Sequence, residues 1–305
     1  MQTTSVDFSE YILPLNMNGL SGRMLKLPSR SKFSREILVV YSQLDTIESC
    51  LDLAIQLQLY GNVTLPDLPG FGGMTSLYKI GEKPTLDELA DYLAAFMKLS
   101  YKRRRVTVVG VGFGFVILTR MLQRYPDLVK KIDLVVSIKG YAHHDDLRIN
   151  EGLTLLYRFL AWVGSRKYLG WVLSRSLLRP LVIASVLYSF KNYLKPPLKL
   201  EGISFKEARR RVIELFKLSD SRTFFMAGLA SLTLDNCRVP VELPLAHLSV
   251  NRGWYLDKHL VEQHLRVVYA KTTSYEIKKY TGKLLGGSVS NIKIPRSLRL
   301  ELRRT

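Results

Sequence analysis

The sequence has few cysteines, and none of them has the spacing of a metal site. Cys50 and Cys237 are far apart in the 305-residue chain, and neither belongs to a C-x-x-C or Cys/His ligand pattern. This spacing argues against a zinc site and against a disulfide scaffold. We therefore expect two reduced thiols that lie mostly in the core.

The sequence has no long apolar run, and its first residues lead us to expect no signal peptide. The first ten residues contain neither the basic region nor the apolar stretch of a signal peptide. The most apolar stretch, 168–190, is interrupted by Arg175, Arg179 and Pro180, and the uncharged run that remains is too short to cross a bilayer. We expect a cytoplasmic protein, with peripheral contact at the inner membrane face left open.

Acidic residues are scarce relative to basic ones. The chain has 26 Asp and Glu against 45 Lys and Arg, which gives a formal net charge of +19. Such a charge attracts nucleic acid, anionic lipid headgroups or acidic proteins, or it reflects a basic proteome. The hydrophobic fraction of 47% is ample for one large core.

Apolar strand-like runs alternate with helical patterns in the first half of the chain. Strands are predicted at 36–41, 62–65, 106–109 and 133–138, and helices at 48–60, 85–99 and 115–125. Residues from about 150 to 235 are helical in pattern, and strands resume at 245–250 and 266–269 around a helix at 256–265. This alternation predicts a parallel sheet covered by helices on both faces.

The order of these elements divides the chain into three segments. Residues 1–149 form the first part of a sheet–helix core, 150–235 form a helical insertion, and 236–305 complete the core and end in a basic tail. The insertion follows the strand that comes after a tight glycine turn.

Three segments in this order resemble motifs of the α/β-hydrolase superfamily. Residues 65–72, Leu-Pro-Asp-Leu-Pro-Gly-Phe-Gly, resemble its D-x-P-G-x-G loop, and residues 110–114, Gly-Val-Gly-Phe-Gly, resemble its G-x-S-x-G nucleophile elbow. The helix that ends in Arg-Tyr-Pro at 124–126 is similar to the elbow helix, and 150–235 lies where the family inserts its cap. The resemblance implies an α/β-hydrolase fold, with a mostly parallel sheet flanked by helices and an inserted helical cap.

The central position of the elbow has no nucleophile. The family places Ser, Cys or Asp there, whereas this chain has Gly112. Gly110 and Gly114 flank it, where the sharp turn requires small residues. Because glycine has no side chain, Gly112 cannot form a covalent intermediate.

The partners of the nucleophile depart from the family pattern as well. The oxyanion loop, usually His-Gly, begins with Tyr41 and Ser42, and the position of the acid reads Asn-Arg-Gly at 251–253, with Asp257 slightly late. The loop where the catalytic histidine is expected, 270–274, has none, and no histidine follows His264. We therefore predict no catalytic residue and a pocket lined by Tyr41, Ser42, Phe113, His143 and His144.

The segment His143-His144-Asp145-Asp146 follows the fourth predicted strand, and ligands of α/β sheets bind at such carboxyl ends. It could hold a metal, or Asp145 or Asp146 could orient a histidine as base. Because adjacent residues rarely point at one ion, we predict a polar loop and no metal. No dinucleotide cofactor is expected either, since Phe115 replaces the third glycine of the G-x-G-x-x-G pattern.

The predicted cap combines Lys and Arg with aromatic residues that include Trp162 and Trp171. This composition suits an anionic membrane surface, and to a lesser extent a nucleic acid, or it is a helix bundle with a solvated basic face. We predict a non-catalytic binding protein for a small apolar ligand under the cap or for a membrane or protein partner. The alternative is a hydrolase or lyase of this superfamily whose chemistry is displaced to residues such as Tyr41, Ser42 or His143.

Overall fold

The structure, a computed structural model of the chain, describes residues 8–31, 35–43, 45–102, 104–149, 151–169, 204–250, 256–277 and 294–304. Among the sequence features discussed above, the Asn-Arg-Gly segment at 251–253 lies outside these ranges. So does the part of the apolar stretch that begins at Trp171.

One sheet of 8 strands runs in the order β1-β2-β4-β3-β5-β6-β7-β8. The strands are β1 (Ile12–Met17), β2 (Leu20–Leu27), β3 (Glu36–Val40), β4 (Asn62–Pro66), β5 (Val106–Val111), β6 (Ile132–Ile138), β7 (Val241–Val250) and β8 (Tyr269–Ile277). β1 and β2 form an antiparallel hairpin, and β2 pairs antiparallel with β4. Every pairing from β4 to β8 is parallel.

Helices flank this sheet, and several of them lie in the described parts of the chain between β6 and β7. They are α1 (Leu51–Leu57), α2 (Leu86–Ser100), α3 (Phe113–Arg124), α4 (Pro126–Val129), α5 (Glu151–Ser165), α6 (Phe205–Lys217), α7 (Ser221–Leu232), α8 (Lys258–Val268) and α9 (Arg296–Arg304). Thr85 is the N-cap residue of α2, because its hydroxyl accepts the Glu88 N–H at 3.2 Å. Within the described residues, no helix is long and apolar enough to cross a membrane.

The central strands are apolar on both faces because helices cover both sides of the sheet. Every residue of β3 and of β5 is buried. A strand with one solvated face would alternate apolar and polar residues, so the continuous apolar runs at these positions are the mark of a covered parallel sheet. The prediction of an α/β architecture with a mostly parallel sheet is confirmed.

The end of the chain differs from the sequence prediction. Residues 266–268, predicted as strand, form the last turn of α8, and the strand begins at Tyr269. Val261, Leu265 and Val268 are buried along one face at helical spacing, and this burial extends the helix. Residues 270–274, expected as a catalytic loop, are therefore strand residues paired with β7.

The loop after β4 fastens the core to the α6–α7 corner. The Asp220 N–H donates to the Gly70 carbonyl at 2.8 Å, and the Gly73 N–H donates to the Leu218 carbonyl at 2.9 Å. Ser76 and Thr223 share a hydroxyl hydrogen bond of 2.9 Å. The D-x-P-G-x-G-like loop thus connects the sheet to the inserted helices, whose boundaries at 150 and 235 remain a prediction.

Helix α3 begins in direct contact with the end of β3. A Cβ atom placed on Gly114, near the start of α3, would overlap the carbonyl oxygens of Val40 and Tyr41. These are backbone atoms of the sheet and its first loop residue, so they cannot rotate away as a side chain could. The close approach predicted for Gly114 is confirmed.

This contact predicts that Gly114→Ala destabilises the fold. The added methyl group must push the helix away from β3, which we expect to cost about 2 kcal/mol of the free energy of unfolding. Gly228→Ala is the matched control, because Gly228 is also helical and has open space around its Cβ position. Alanine there should be neutral or stabilising by up to about 1 kcal/mol. Urea unfolding measures both, and equal stability of the two variants would contradict the packing argument.

Candidate functional site

Gly112 forms the predicted tight turn at the carboxyl end of the central strand β5. Its φ of 50° and ψ of −120° lie in a region that residues with a Cβ atom avoid. The Gly112 N–H donates to the Ile138 carbonyl at the end of β6, at 2.9 Å. The chain therefore has the elbow backbone of the fold without a nucleophilic side chain.

Ser42 lies over this elbow. Its Oγ accepts the Phe113 N–H at 3.3 Å, and a Cβ atom on Gly112 would lie 2.9 Å from the same oxygen. In the family geometry, the N–H after the nucleophile is one donor of the oxyanion hole. Here the Ser42 hydroxyl occupies both that donor and the space that a nucleophile side chain would need.

Tyr41 is fully buried and contacts the loop after β4. Its hydroxyl donates to Asp67 Oδ1 at 2.7 Å and accepts the Leu68 N–H at 3.3 Å. Arg23 approaches the other carboxylate oxygen of Asp67 at 3.2 Å and donates to the Gly72 carbonyl at 3.0 Å. This network ties the first residue after β3 to the D-x-P-G-x-G-like loop.

Asp67 is the centre of that network and is completely buried. Burial raises the pKa of its carboxyl group to about 6, while the hydrogen bond from Tyr41 and the charge of Arg23 act in the opposite direction. Arg23 also forms an ion pair with Glu48 at 2.7 Å. The sequence indicated Asp67 through the motif but gave no sign of Arg23 as its partner.

A second group of polar side chains follows β6, on the turn at His144–Asp146. Asp146 is fully buried, and its Oδ2 accepts the N–H groups of Ala142 at 2.8 Å and His143 at 3.0 Å. Its Oδ1 lies 2.6 Å from Nδ1 of His264 on α8. The sequence suggested an aspartate that orients a histidine. The structure pairs Asp146 with His264, a residue for which no role was predicted.

His143, His144 and Asp145 lie together beside this pair. Their potential ligand atoms are all within 4.8 Å of one another. The centroid of the His143 ring lies 4.1 Å from that of His144 and 4.7 Å from that of His264, and the ring planes are tilted by 36° and 42°. Burial and the neighbouring His144 lower the pKa of His143. We name His143, His144, Asp145, Asp146 and His264 the histidine cluster.

A buried Ser–His pair lies inside the sheet, and sequence patterns did not point to it. His247 of β7 is opposite Ser137 of β6, and its Nδ1 lies 3.0 Å from the Ser137 hydroxyl. Burial lowers the pKa of His247 to about 4, so the ring is neutral near pH 7. Both residues are enclosed by the core, which leaves this pair without access to a substrate.

Asp257, the late candidate for the catalytic acid, caps a helix instead. Its Oδ1 accepts the N–H groups of His259 at 2.9 Å and Leu260 at 3.2 Å at the start of α8. Its other oxygen faces Arg148 at 3.4 Å. These contacts account for the carboxylate as a helix cap with a surface ion pair.

Solved structures share this architecture over almost the whole chain. An enol-lactonase from Burkholderia xenovorans LB400 has a TM-score of 0.62 and 12% identity, and the match covers 96% of this chain and 97% of that one. A hydrolase from Oleispira antarctica has a TM-score of 0.65 and 11% identity, with 92% and 94% covered. A deformylase from Pseudomonas putida S16 has a TM-score of 0.59 and 14% identity, with 91% and 96% covered.

Comparison of the sequence alone finds no relative. No protein-family model matches it, and no curated protein matches it. At identities this low, the structural likeness is evidence for the fold alone. The predicted α/β-hydrolase fold, with its mostly parallel sheet and flanking helices, is confirmed.

The buried His247 predicts a specific pH dependence of stability. Its pKa of about 4 in the folded protein is below the ordinary value of 6.5, so the unfolded chain binds the proton first as the pH falls. The wild type should therefore lose about 2 kcal/mol of unfolding free energy between pH 7 and pH 5 relative to His247→Gln. His259→Gln, a change at an exposed histidine, should show the same dependence of the unfolding free energy on pH as the wild type, when that free energy is measured by urea unfolding at each pH. If the wild type and His247→Gln showed the same pH dependence of the unfolding free energy, the lowered pKa of His247 would be contradicted.

Proposed function

We propose that this chain is a non-catalytic binding protein built on the α/β-hydrolase fold. The observation that carries the proposal is the occupation of the elbow. Gly112 supplies no nucleophile, and the Ser42 hydroxyl accepts the Phe113 N–H, a donor that an oxyanion would require. Two requirements of acyl transfer are thus missing at the same point.

The distribution of the histidines supports this proposal. The chain has 5 histidines, and all of them lie in the described residues. His143, His144 and His264 belong to the histidine cluster, His247 is buried against Ser137, and His259 is exposed on α8. None of the hydrogen bonds of the described residues joins a histidine to Ser42, so its hydroxyl has no base to activate it.

The alternative is an enzyme in which Ser42 is a displaced nucleophile. Ser42 is half-buried at the carboxyl edge of the sheet, where substrates of α/β proteins bind. The named structural neighbours include a lactonase and a deformylase, and both names indicate acyl chemistry. Acyl-transfer activity is therefore the activity to test against the non-catalytic proposal.

We expect the wild type to hydrolyse p-nitrophenyl esters no faster than a heat-denatured control. Gly112→Ser should restore nothing measurable, because the new side chain meets Ser42 and no base is in place. The double variant Gly112→Ser/Ser42→Gly removes that contact and frees the Phe113 N–H, yet it should also remain at background for lack of a histidine. Circular dichroism checks that each variant is folded.

Labelling with a fluorophosphonate separates the two functions. The non-catalytic proposal predicts no label on the wild type. A label that appears on the wild type and disappears in Ser42→Ala would establish Ser42 as a nucleophile and overturn the proposal.

The binding surface that we propose is the outer face of α5. Leu155, Phe159 and Trp162 are exposed at i, i+4 and i+7 along this helix. The opposite face packs against α7, where Gly164 lies against Phe225. Arg166 lies over the Trp162 ring, 4.4 Å from its centroid, and places a cation beside the apolar stripe.

An exposed apolar and aromatic stripe with a cation at its edge is the pattern of a helix that lies on an anionic membrane surface. We name Leu155, Phe159, Trp162 and Arg166 the α5 stripe. It supports a peripheral contact with anionic lipid, in agreement with the net charge of +19. The apolar residues would enter the headgroup region while the basic residues bind phosphate.

We expect the protein to co-sediment with phosphatidylglycerol liposomes more strongly than with phosphatidylcholine liposomes, and less so at high salt. Arg166→Gln should weaken binding about fivefold, because one basic residue near such a surface contributes about 1 kcal/mol. Phe159→Ser should weaken it as well, while Leu99→Ser, a change at an exposed apolar residue on α2, should not. Equal binding to both lipids, or tighter binding to random DNA, would contradict the lipid proposal.

A further inference from the structure

We infer that His143, His144 and Asp145 form a binding site for a divalent transition metal ion of the zinc class. The ligands would be one nitrogen of each imidazole ring and the Asp145 carboxylate, with a fourth position open to solvent. This inference goes beyond the proposed function and does not depend on it, because the three ligand residues lie on the loop after β6 and none of them belongs to the elbow or the α5 stripe.

In the metal-binding form each ring is neutral, and the hydrogen bonds of the two rings indicate which nitrogens would then carry lone pairs. Nδ1 of His144 lies 3.0 Å from the Leu234 carbonyl, which can only accept, so this nitrogen bears the hydrogen and Nε2 bears the lone pair. The Asp145 N–H donates to Nδ1 of His143 at 3.3 Å, so that nitrogen also has a lone pair. A ligand histidine is typically oriented through its other nitrogen in the way that Leu234 orients His144.

Both lone pairs face the Asp145 carboxylate. Its Oδ2 lies 3.3 Å from Nδ1 of His143, and its Oδ1 lies 3.3 Å from Nε2 of His144. Two acceptor nitrogens against a carboxylate repel one another unless a cation lies between them. In a tetrahedral site with bonds of about 2.0–2.1 Å, neighbouring ligand atoms are about 3.3 Å apart. Each imidazole nitrogen lies at this distance from one oxygen of the carboxylate, and one ligand atom from each of the three residues lies within 4.8 Å of the others, so small side-chain rotations would close the site around an ion.

The surroundings hold this geometry in place and leave it accessible. The His264 ring lies tilted against the His143 ring, and Asp146 binds both His264 and the backbone N–H of His143. Asp145 is exposed and His144 is half-buried, so an ion and a water ligand can enter from solvent. When Nδ1 of His143 binds an ion, the hydrogen bond that this nitrogen accepts from the Asp145 N–H is the interaction that is lost.

The chemistry of the ligands selects the ion. Two imidazole nitrogens and one carboxylate suit Zn²⁺ and similar first-row ions rather than Mg²⁺ or Ca²⁺, which prefer oxygen ligands throughout. The sequence alone predicts a polar loop here, because adjacent residues seldom point at one ion. The extended backbone of His143 followed by the tight turn from His144 to Asp146 is what directs these neighbours to one point.

The test is a zinc titration of the full chain, purified without a polyhistidine tag and stripped with a chelator. In competition with a chromophoric zinc chelator, we expect the wild type to bind one equivalent. His144→Ala and Asp145→Asn should each lower the affinity at least tenfold, and His259→Ala, a change outside the cluster, should leave it unchanged. Zinc should also raise the melting temperature of the wild type but not that of Asp145→Asn.

Three results would overturn the inference. They are a wild type that binds no stoichiometric zinc, an affinity that His144→Ala leaves unchanged, and an equal loss in His259→Ala. The first would also be the result if a proton, rather than a metal ion, lies between the rings and the carboxylate. Asp145→Asn keeps the shape of an exposed side chain, so a folded variant is available for the comparison.

Discussion

The close contact between the start of α3 and the strands beneath it is the constraint on which the rest of the site depends. Gly114 lies against the carbonyl groups of Val40 and Tyr41, and a Cβ atom on Gly110 would lie 2.5 Å from Cα of Phe115. Both positions are tight against backbone, so neither accepts a side chain without moving an element of the core. The glycines of this turn are therefore explained by packing alone, and their presence is no evidence that a reaction takes place there.

The same contact fixes the places of Tyr41 and Ser42. These residues follow β3 directly beneath the start of α3. The Ser42 hydroxyl therefore accepts the Phe113 N–H, while the Tyr41 side chain lies in the core and donates to Asp67. A glycine in place of Tyr41 would leave the buried Asp67 without its hydroxyl partner, and a buried carboxylate without partners is costly. The loop after β3 thus stabilises the loop after β4.

Much of the fold could be predicted from the sequence, because buried parallel strands and capped helices have local patterns. The runs at β3, β5 and β6, and the cap at Thr85, are examples. The start of β8 could not be placed, since Arg-Val-Val-Tyr at 266–269 suits a strand as well as the end of a buried helix. The side-chain partners depend on tertiary contacts: His264 is 118 residues from Asp146, and nothing local to His247 indicates that it lies opposite Ser137.

The geometry of the elbow and the chemistry of the site are therefore separable in this molecule. The positive φ of Gly112 belongs to a sharp turn between β5 and α3 that is held by the hydrogen bond to Ile138. Structural likeness to hydrolases reports on that turn and on the sheet, both of which packing requires. Chemistry at the carboxyl edge of such a sheet depends instead on which side chains the loops present. Here the loop after β6 presents imidazoles and a carboxylate, the loop after β3 presents the Ser42 hydroxyl, and the elbow itself presents only backbone.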